Sequence, residues 1–170
     1  MIQAAGAFAI LLAAVSLGVC ILLERKRRRR CLRQLCASLE LLEAELGTNA
    51  KPLADVFREL GSWSEGDLQH FFRFLSEGFV YLDRISFFEL WKEAVCVCLP
   101  RLTSGEGEEV IRLGGVLGKY ELSRQCAALE RCAAFLREEL NRQQERCRGE
   151  DKLILALPTA VGLLLVILLL

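Results

Sequence analysis

The chain has 170 residues, with 22 basic and 22 acidic side chains, so its formal net charge is zero. A hydrophobic content of 53% with only three prolines excludes a disordered or collagen-like chain. The balanced charge gives no general reason to expect a nucleic acid as partner. All charged residues lie between Glu24 and Lys152, which leaves two uncharged ends and a middle stretch long enough for one domain.

The first predicted element is a transmembrane helix over residues 1–23. The uncharged run from Ile2 to Leu23 would cover about 33 Å as a helix, the thickness of a hydrocarbon core. A cleaved signal peptide is the alternative, but its basic residues precede the apolar run, whereas here they follow it. Basic residues stay on the cytoplasmic side of a span, so residue 24 onward is predicted to be cytoplasmic. The predicted membrane-flanking basic residues are Arg25, Lys26, Arg27, Arg28, Arg29 and Arg30.

Residues 24–152 predict a cytoplasmic, all-α domain, an antiparallel helical bundle of about six helices between two transmembrane helices. The first helix has leucines at helical spacing from Leu32 to Leu46 and is predicted to end at Gly47. Pro52 is predicted to be the first residue of a second helix, which Gly61 should close.

The next predicted helices are shorter. Ser64 is predicted to open the third helix and Ser86 the fourth, which Pro100 should stop. Residues 103–107 contain two glycines and are predicted to be a loop between two halves of the domain. The fifth helix is predicted over residues 108–117.

The sixth helix is predicted to be the longest. Its apolar residues step by four and three from Leu122 to Leu140. We expect the first and sixth helices to continue into the membrane and to pack against each other as an antiparallel pair.

The last predicted element is a second transmembrane helix over residues 153–170. Its uncharged run would cover about 27 Å, a slightly short but sufficient span. Arg148 and Lys152 flank its inner side, in agreement with a cytoplasmic middle domain. The two ends together predict a multi-pass protein of the cell membrane.

Residue patterns typical of enzyme and metal sites are weak. The eight cysteines form no C-x-x-C pair and the only histidine is His70, so we predict no metal site. The segment from Gly114 to Tyr120 resembles a phosphate loop, but its glycine spacing is one residue short and Tyr120 replaces the required Ser or Thr. We therefore predict no enzyme activity, no catalytic or cofactor-binding residues and no small-molecule substrate, and assign Gly114, Gly118 and Trp91 to helix packing.

Charged residues on two helices are candidates for a partner surface. Most such charges are only solvated side chains of an outer helix face, and that interpretation stays open for each of them. The candidate residues are Glu40, Glu43, Glu45, Arg131, Arg137, Glu138 and Arg142.

Several segments along the whole chain resemble the stage III sporulation protein AB family of endospore-forming bacteria. The more distinctive ones are Leu113-Gly114-x-x-Leu117-Gly118, with Gln125 and Leu129 behind it, and the closing run at residues 162–169. The other matching segments are residues 24–27, 32–35, 41–46 and 52–54. Glu121, where the family pattern leads us to expect aspartate, the number of cysteines and the final Leu170 depart from that pattern.

The resemblance implies a function that the residues alone do not. Such proteins look like the cytoplasmic bundle of the F-type platform proteins of type II secretion and type IV pilus machines. They belong to a channel complex in the mother-cell membrane around the forespore. The implied partners are a cytoplasmic secretion-type ATPase, the sibling protein AA, and other membrane subunits. The alternative, from another class, is a tail-anchored regulatory bundle that binds amphipathic helices of a partner.

Overall fold

The computed structural model is helical throughout the residues that it describes. These are all residues except Met1, Ala50 and Leu170, and the side chains of residues 2–12, 14, 48–49, 146–159 and 161–169 are also outside the description. Within those limits the chain has six α-helices, one 3-10 turn and no strand, so the all-α prediction is confirmed. The helices are α1 (Ile2–Asn49), α2 (Leu53–Trp63), α3 (Asp67–Gly78), α4 (Phe87–Cys98), α5 (Ser104–Gly114) and α6 (Leu122–Leu169), and the 3-10 turn is Phe79–Tyr81.

The chain divides into two compact units. One consists of Met1–Arg29 and Asn141–Leu170, and the other, called here the bundle, is Arg30–Leu140. Helices α1 and α6 each run without interruption through both units. Among the described residues, no helix is both long and apolar enough to cross a membrane. The predicted spans at residues 1–23 and 153–170 lie largely outside that description.

Inside the bundle, α1 and α6 are antiparallel. The Cys36 thiol donates to the Ala133 carbonyl oxygen at 4.0 Å, and a Cβ built on Gly47 would lie 3.9 Å from the Cys126 sulfur. Residue numbers therefore rise along α1 as they fall along the facing part of α6. This is the predicted pairing. The whole leucine seam of α1 is buried in the core, namely Leu32, Leu35, Leu39, Leu42 and Leu46.

The seam of α6 is shorter than predicted. Leu129, Ala133 and Leu136 are buried, but Leu122 is 43% exposed and does not belong to the core. The first turn of α6 therefore lies at the surface of the bundle.

Two glycines that were predicted to end helices do not do so. Helix α1 continues past Gly47 to Asn49, and α2 continues past Gly61 to Trp63. A Cβ built on Gly61 would lie 3.6 Å from the Phe72 Cβ, so this glycine lies where α2 crosses α3. The packing of α2 on α3 thus outweighs the roughly 1 kcal/mol that a glycine costs inside a helix.

The starts of α2, α3 and α5 also differ from prediction. Pro52 is the N-cap of α2 and not its first helical residue, and Gly66, not Ser64, precedes α3. The predicted loop at residues 103–107 is helical from Ser104 onward, because α5 is Ser104–Gly114 and not residues 108–117. Thr103 and Glu106 form a reciprocal capping box that stabilises this start, and Glu106 is almost fully buried.

The predicted start of α4 at Ser86 is confirmed, and it allows a stability test. The Ser86 hydroxyl accepts from the Glu89 backbone N–H, and the Ser86 N–H donates to the Glu89 carboxylate at 3.0 Å. We expect Ser86→Ala to lower the free energy of unfolding by about 1 kcal/mol, because a backbone donor loses its cap. Urea denaturation followed by far-UV circular dichroism measures the change. The control is Ser62→Ala, because the Ser62 hydroxyl bonds only within its own helix; an equal loss there would contradict the capping argument.

Candidate interaction surface

The aromatic core of the bundle determines where α5 can lie. Trp91 is fully buried and its indole N–H donates to the Val110 carbonyl oxygen of α5 at 2.7 Å. A Cβ built on Gly114 would lie 2.2 Å from Trp91 Cδ1, so α5 approaches this ring at a distance only glycine permits. The hydrogen bond and the close approach hold the end of α5 and the turn after it against α4.

The turn between α5 and α6 is held by one side chain. Gly118 has φ +71°, a left-handed conformation that favours glycine. The Gln125 side-chain oxygen accepts from the Gly118 N–H at 3.0 Å, and its amide nitrogen donates to the Tyr120 carbonyl oxygen at 2.6 Å. Both ends of one amide thus bind the turn to the first turns of α6. The turn is also anchored by Leu117, which is buried in the core.

This turn exposes an aromatic ring beside cationic groups. The Tyr120 side chain is 43% exposed, with the Lys119 ammonium 5.9 Å and the Arg124 guanidinium 5.7 Å from its ring centroid. Next to the ring lies a groove of about 570 Å³, called here the Tyr120 groove. It is lined by Val116, Tyr120, Arg124, Ala127 and Arg131.

Several of the predicted surface charges form ion pairs within the bundle. Arg137 on α6 forms an ion pair with Glu40 on α1, across the antiparallel helix pair. Glu45 pairs with Lys51 at 2.9 Å, and Lys51 also contacts Glu59 at 3.3 Å. Exposed pairs of this kind contribute about 0–1 kcal/mol, so they add little stability, but they do occupy the charges.

The other predicted surface residues differ in exposure and in position. Glu43 is half-buried on α1, and Glu138 is exposed on α6. Arg131 lines the Tyr120 groove, where its Nε donates to the Ala127 carbonyl oxygen at 3.1 Å. Arg142 belongs to the other compact unit. Glu40 and Arg137 contact each other, and Arg131 lies at the groove.

Lys119, Tyr120 and Arg124 were not predicted as surface candidates. Sequence reasoning considered Lys119 and Tyr120 only as part of a phosphate-loop-like segment. The available signal was the spacing of Tyr120 and Arg124, which are four residues apart at the start of a helix. The sequence pattern does not show that the Gln125 amide fixes the turn on which Lys119 and Tyr120 lie.

The basic run Arg25–Arg30 lies on α1. Its last residue, Arg30, belongs to the bundle and contacts Glu65 at 2.7 Å. Both side chains of this pair are more than two-thirds exposed, so the contact is weak. The structure thus places one member of the run at the edge of the bundle and the other five in the terminal unit.

His70 lines a second pocket of about 400 Å³, together with Asp67, Glu77 and Cys98. The His70 side chain is exposed, and the nearby Asp67 carboxylate is ion-paired with Arg101. Among the described side chains, no group of three or more His, Cys, Asp or Glu could hold a metal ion.

A family model for stage III sporulation protein AB matches residues 3–170. The chain belongs to the stage III sporulation protein AB family. Membership supports a role in sporulation, and the family is not a known enzyme family. No curated protein and no solved structure is significantly similar to the chain.

In this family member, the segment that carried the resemblance forms the turn described above. Gly114 lies against Trp91, Gly118 takes the left-handed conformation, and the Gln125 amide bonds to the backbone of Gly118 and Tyr120. Leu129 of the same segment is buried in the core. The family segment thus has a structural consequence, which is a fixed turn beside the Tyr120 groove.

Three cysteines of this family member are buried and should be unreactive. Burial, with smaller effects of nearby carboxylates, raises the pKa of Cys31 and Cys36 to about 11. Burial and the nearby Glu109 carboxylate raise the pKa of Cys132 to about 12. Because the thiolate is the reactive form, we infer that these thiols are structural.

The raised thiol pKa values predict a loss of stability in alkali. The usual thiol pKa is 9.0, so the unfolded chain loses these protons at a lower pH than the folded chain. The stabilisation is therefore complete below pH 9 and is lost as the pH rises toward 12. We expect stability to fall less steeply between pH 9 and 12 in Cys132→Ala than in the wild type. The urea midpoint, measured at several pH values in that range, gives the slope. Exposed Cys96, changed to alanine, is the control; an unchanged slope in Cys132→Ala would contradict the assignment.

Proposed function

We propose that this chain is a non-enzymatic platform subunit of a sporulation channel complex between mother cell and forespore. In this proposal it resides in the mother-cell membrane around the forespore, with residues 24–152 in the cytoplasm. It docks the secretion-type ATPase, sibling protein AA, and contacts other membrane subunits. The single observation that carries the proposal is the family match over residues 3–170.

The two long helices support the membrane part of the proposal. Each has 48 residues, about 72 Å of helix, and each joins an uncharged end of the chain to the bundle. A platform subunit needs an anchor in the membrane and a domain outside it, and these two parts of the chain fit that division.

The basic run supports the proposed orientation. Six consecutive basic residues follow the first uncharged segment, and such residues stay on the cytoplasmic side. Residues 1–30 carry six basic and one acidic side chain, so the rest of the zero-charge chain is net acidic. The basic excess therefore lies at the proposed membrane flank, and the acidic excess lies in the rest of the chain.

A site-specific protease tests the topology. We expect a protease site inserted after exposed Asp83 to be cleaved when the protease is expressed in the mother-cell cytoplasm. The same site placed before Ile2 should stay intact, because that end is proposed to lie across the membrane. Protection at Asp83 with cleavage before Ile2 would reject the orientation.

Co-purification tests the docking of the ATPase. We expect tagged full-length protein, extracted in nonionic detergent from sporulating cells, to retain sibling protein AA. Glu43→Arg should reduce this retention, because Glu43 is the predicted α1 surface acid that lacks an ion pair among the described residues. Exposed Glu93 on α4, changed to arginine, is the matched control. If the wild-type protein retains no ATPase, the docking proposal fails, whatever the topology result.

A further inference from the structure

We propose that the Tyr120 groove binds an acidic segment of a partner protein. The inference goes beyond the proposed function, because none of the predicted surface residues except Arg131 lies in the groove. It concerns the bundle alone and does not depend on the membrane topology or on the identity of the ATPase. The groove lies beside the turn that contains Gly118 and is held by Gln125.

The distribution of ion pairs first points to this groove. Residues 30–140 contain thirteen lysines and arginines, and eight of them form ion pairs. Within the described part of the chain, the five without an ion pair are Arg33, Lys92, Lys119, Arg124 and Arg131. Three of these five line or flank one groove, whose lining contains no acidic residue. Cations left without a carboxylate in a bundle that pairs most of its cations favour an external anion.

The geometry of the turn supplies the second argument. The Gln125 amide and the left-handed Gly118 fix the backbone that carries Lys119 and Tyr120. Arg124 lies 5.7 Å from the Tyr120 ring centroid, so an aromatic face holds the cation in place. A site whose groups are already ordered loses less entropy when a ligand binds.

The lining of the groove favours a protein segment over a lipid surface. The groove has a volume of about 570 Å³, and Val116 and Ala127 provide apolar lining beside the two arginines. An acidic segment with an interspersed apolar side chain satisfies both the cations and this lining. The surface of a bilayer presents a plane of polar head groups, which offers no apolar group to Val116 and Ala127. The first turn of α6 beside the groove adds positive potential.

The binding test uses a defined probe on the full chain. The probe is a fluorescein-labelled nonapeptide with three repeats of Asp-Glu-Leu, and a peptide with three repeats of Lys-Lys-Leu is its charge-reversed counterpart. Full-length protein in neutral phosphatidylcholine nanodiscs is titrated, and fluorescence anisotropy is measured at low and high salt. Site variants are Lys119→Glu and Arg124→Glu. Their matched controls are Lys92→Glu and Arg33→Glu, which reverse the same charges outside the groove.

The expected result is binding of the acidic peptide alone, weakened by salt. Each site variant should bind it at least about tenfold more weakly, whereas the controls should bind it as the wild type does. Circular dichroism tests whether all four variants are folded. We expect that they are, because all four substituted residues are exposed. A Gln125→Leu variant should also bind more weakly, because the turn loses both hydrogen bonds while every cation remains.

Three outcomes would overturn the proposal. The first is absence of acidic-peptide binding, and the second is an equal loss in the site and control variants. The third is a lipid response: capture of phosphatidylserine vesicles, lost in Lys119→Glu and Arg124→Glu, without peptide binding. That third result would reassign the same cations to an anionic membrane.

Discussion

Trp91→Ala is expected to lower the free energy of unfolding by about 3–5 kcal/mol, the usual cost of removing a buried tryptophan ring. The ring is fully buried and lies among Phe57, Phe71 and Phe87, with centroid distances between 5.2 and 6.0 Å. The change also removes the indole donor to the Val110 carbonyl. Since small domains are stable by only about 5–15 kcal/mol, this one substitution removes a large part of the stability.

The second tryptophan provides the control for this prediction. Trp63 is the last residue of α2 and is 77% exposed, so Trp63→Ala should change stability by less than about 0.5 kcal/mol. Urea denaturation of the full chain in a nonionic detergent, followed by far-UV circular dichroism, compares the two variants. Equal midpoints for Trp91→Ala and Trp63→Ala would show that the aromatic core is not where the structure places it.

Gly114→Ala is expected to destabilise the bundle by about 1–3 kcal/mol, although alanine is the better helix former. The new Cβ would lie 2.2 Å from Trp91 Cδ1 and 2.4 Å from Cγ, so the ring or the helix has to move. Neither moves freely, because the ring is packed on all sides and bonded to α5. The turn after α5 should shift too, so acidic-peptide binding at the Tyr120 groove should weaken with stability.

Helix α5 contains the matched control. A Cβ on Gly105 would meet nothing within 4 Å, so Gly105→Ala should be neutral or stabilising by up to about 1 kcal/mol. A double-mutant cycle sharpens the test, since Trp91→Ala removes the ring that Gly114→Ala overlaps. We expect the double variant to lose less stability than the two single losses added together. A loss from Gly105→Ala as large as that from Gly114→Ala would indicate a general effect on α5.

The comparison of α4 with α5 shows where sequence reasoning succeeded and where it failed. Ser86 was predicted to open α4, and in the structure it forms a capping box with Glu89. Thr103 and Glu106 have the same spacing and the same capping box, yet the glycines between and after them predicted a loop. The capping signal was present in both places, and composition was given too much weight in the second.

The candidate surface shows a different limit. Glu40 and Arg137 were predicted as parts of a partner surface because both lie on charged helix faces. They pair with each other because α1 and α6 are antiparallel and bring positions 97 residues apart into contact. Likewise, Lys119, Arg124 and Arg131 differ from Arg33 and Lys92, which also have no ion pair among the described residues, by lying at one groove. Neither relation is a property of a local pattern.

The sequence by itself determined the helical class, the leucine seam of α1, the start of α4 and the family of the chain. It also showed that the zero net charge is the sum of a basic excess in residues 1–30 and an acidic excess in the remainder. These features depend on periodicity, capping and charge order, which act over a few neighbouring residues. Only the tertiary structure decided that Gly61 lies within a helix, that Trp91 is buried while Trp63 is exposed, and that the turn beside Tyr120 forms a cationic groove. Those outcomes depend on contacts between residues distant in the chain, whose energies exceed the local preferences that they override.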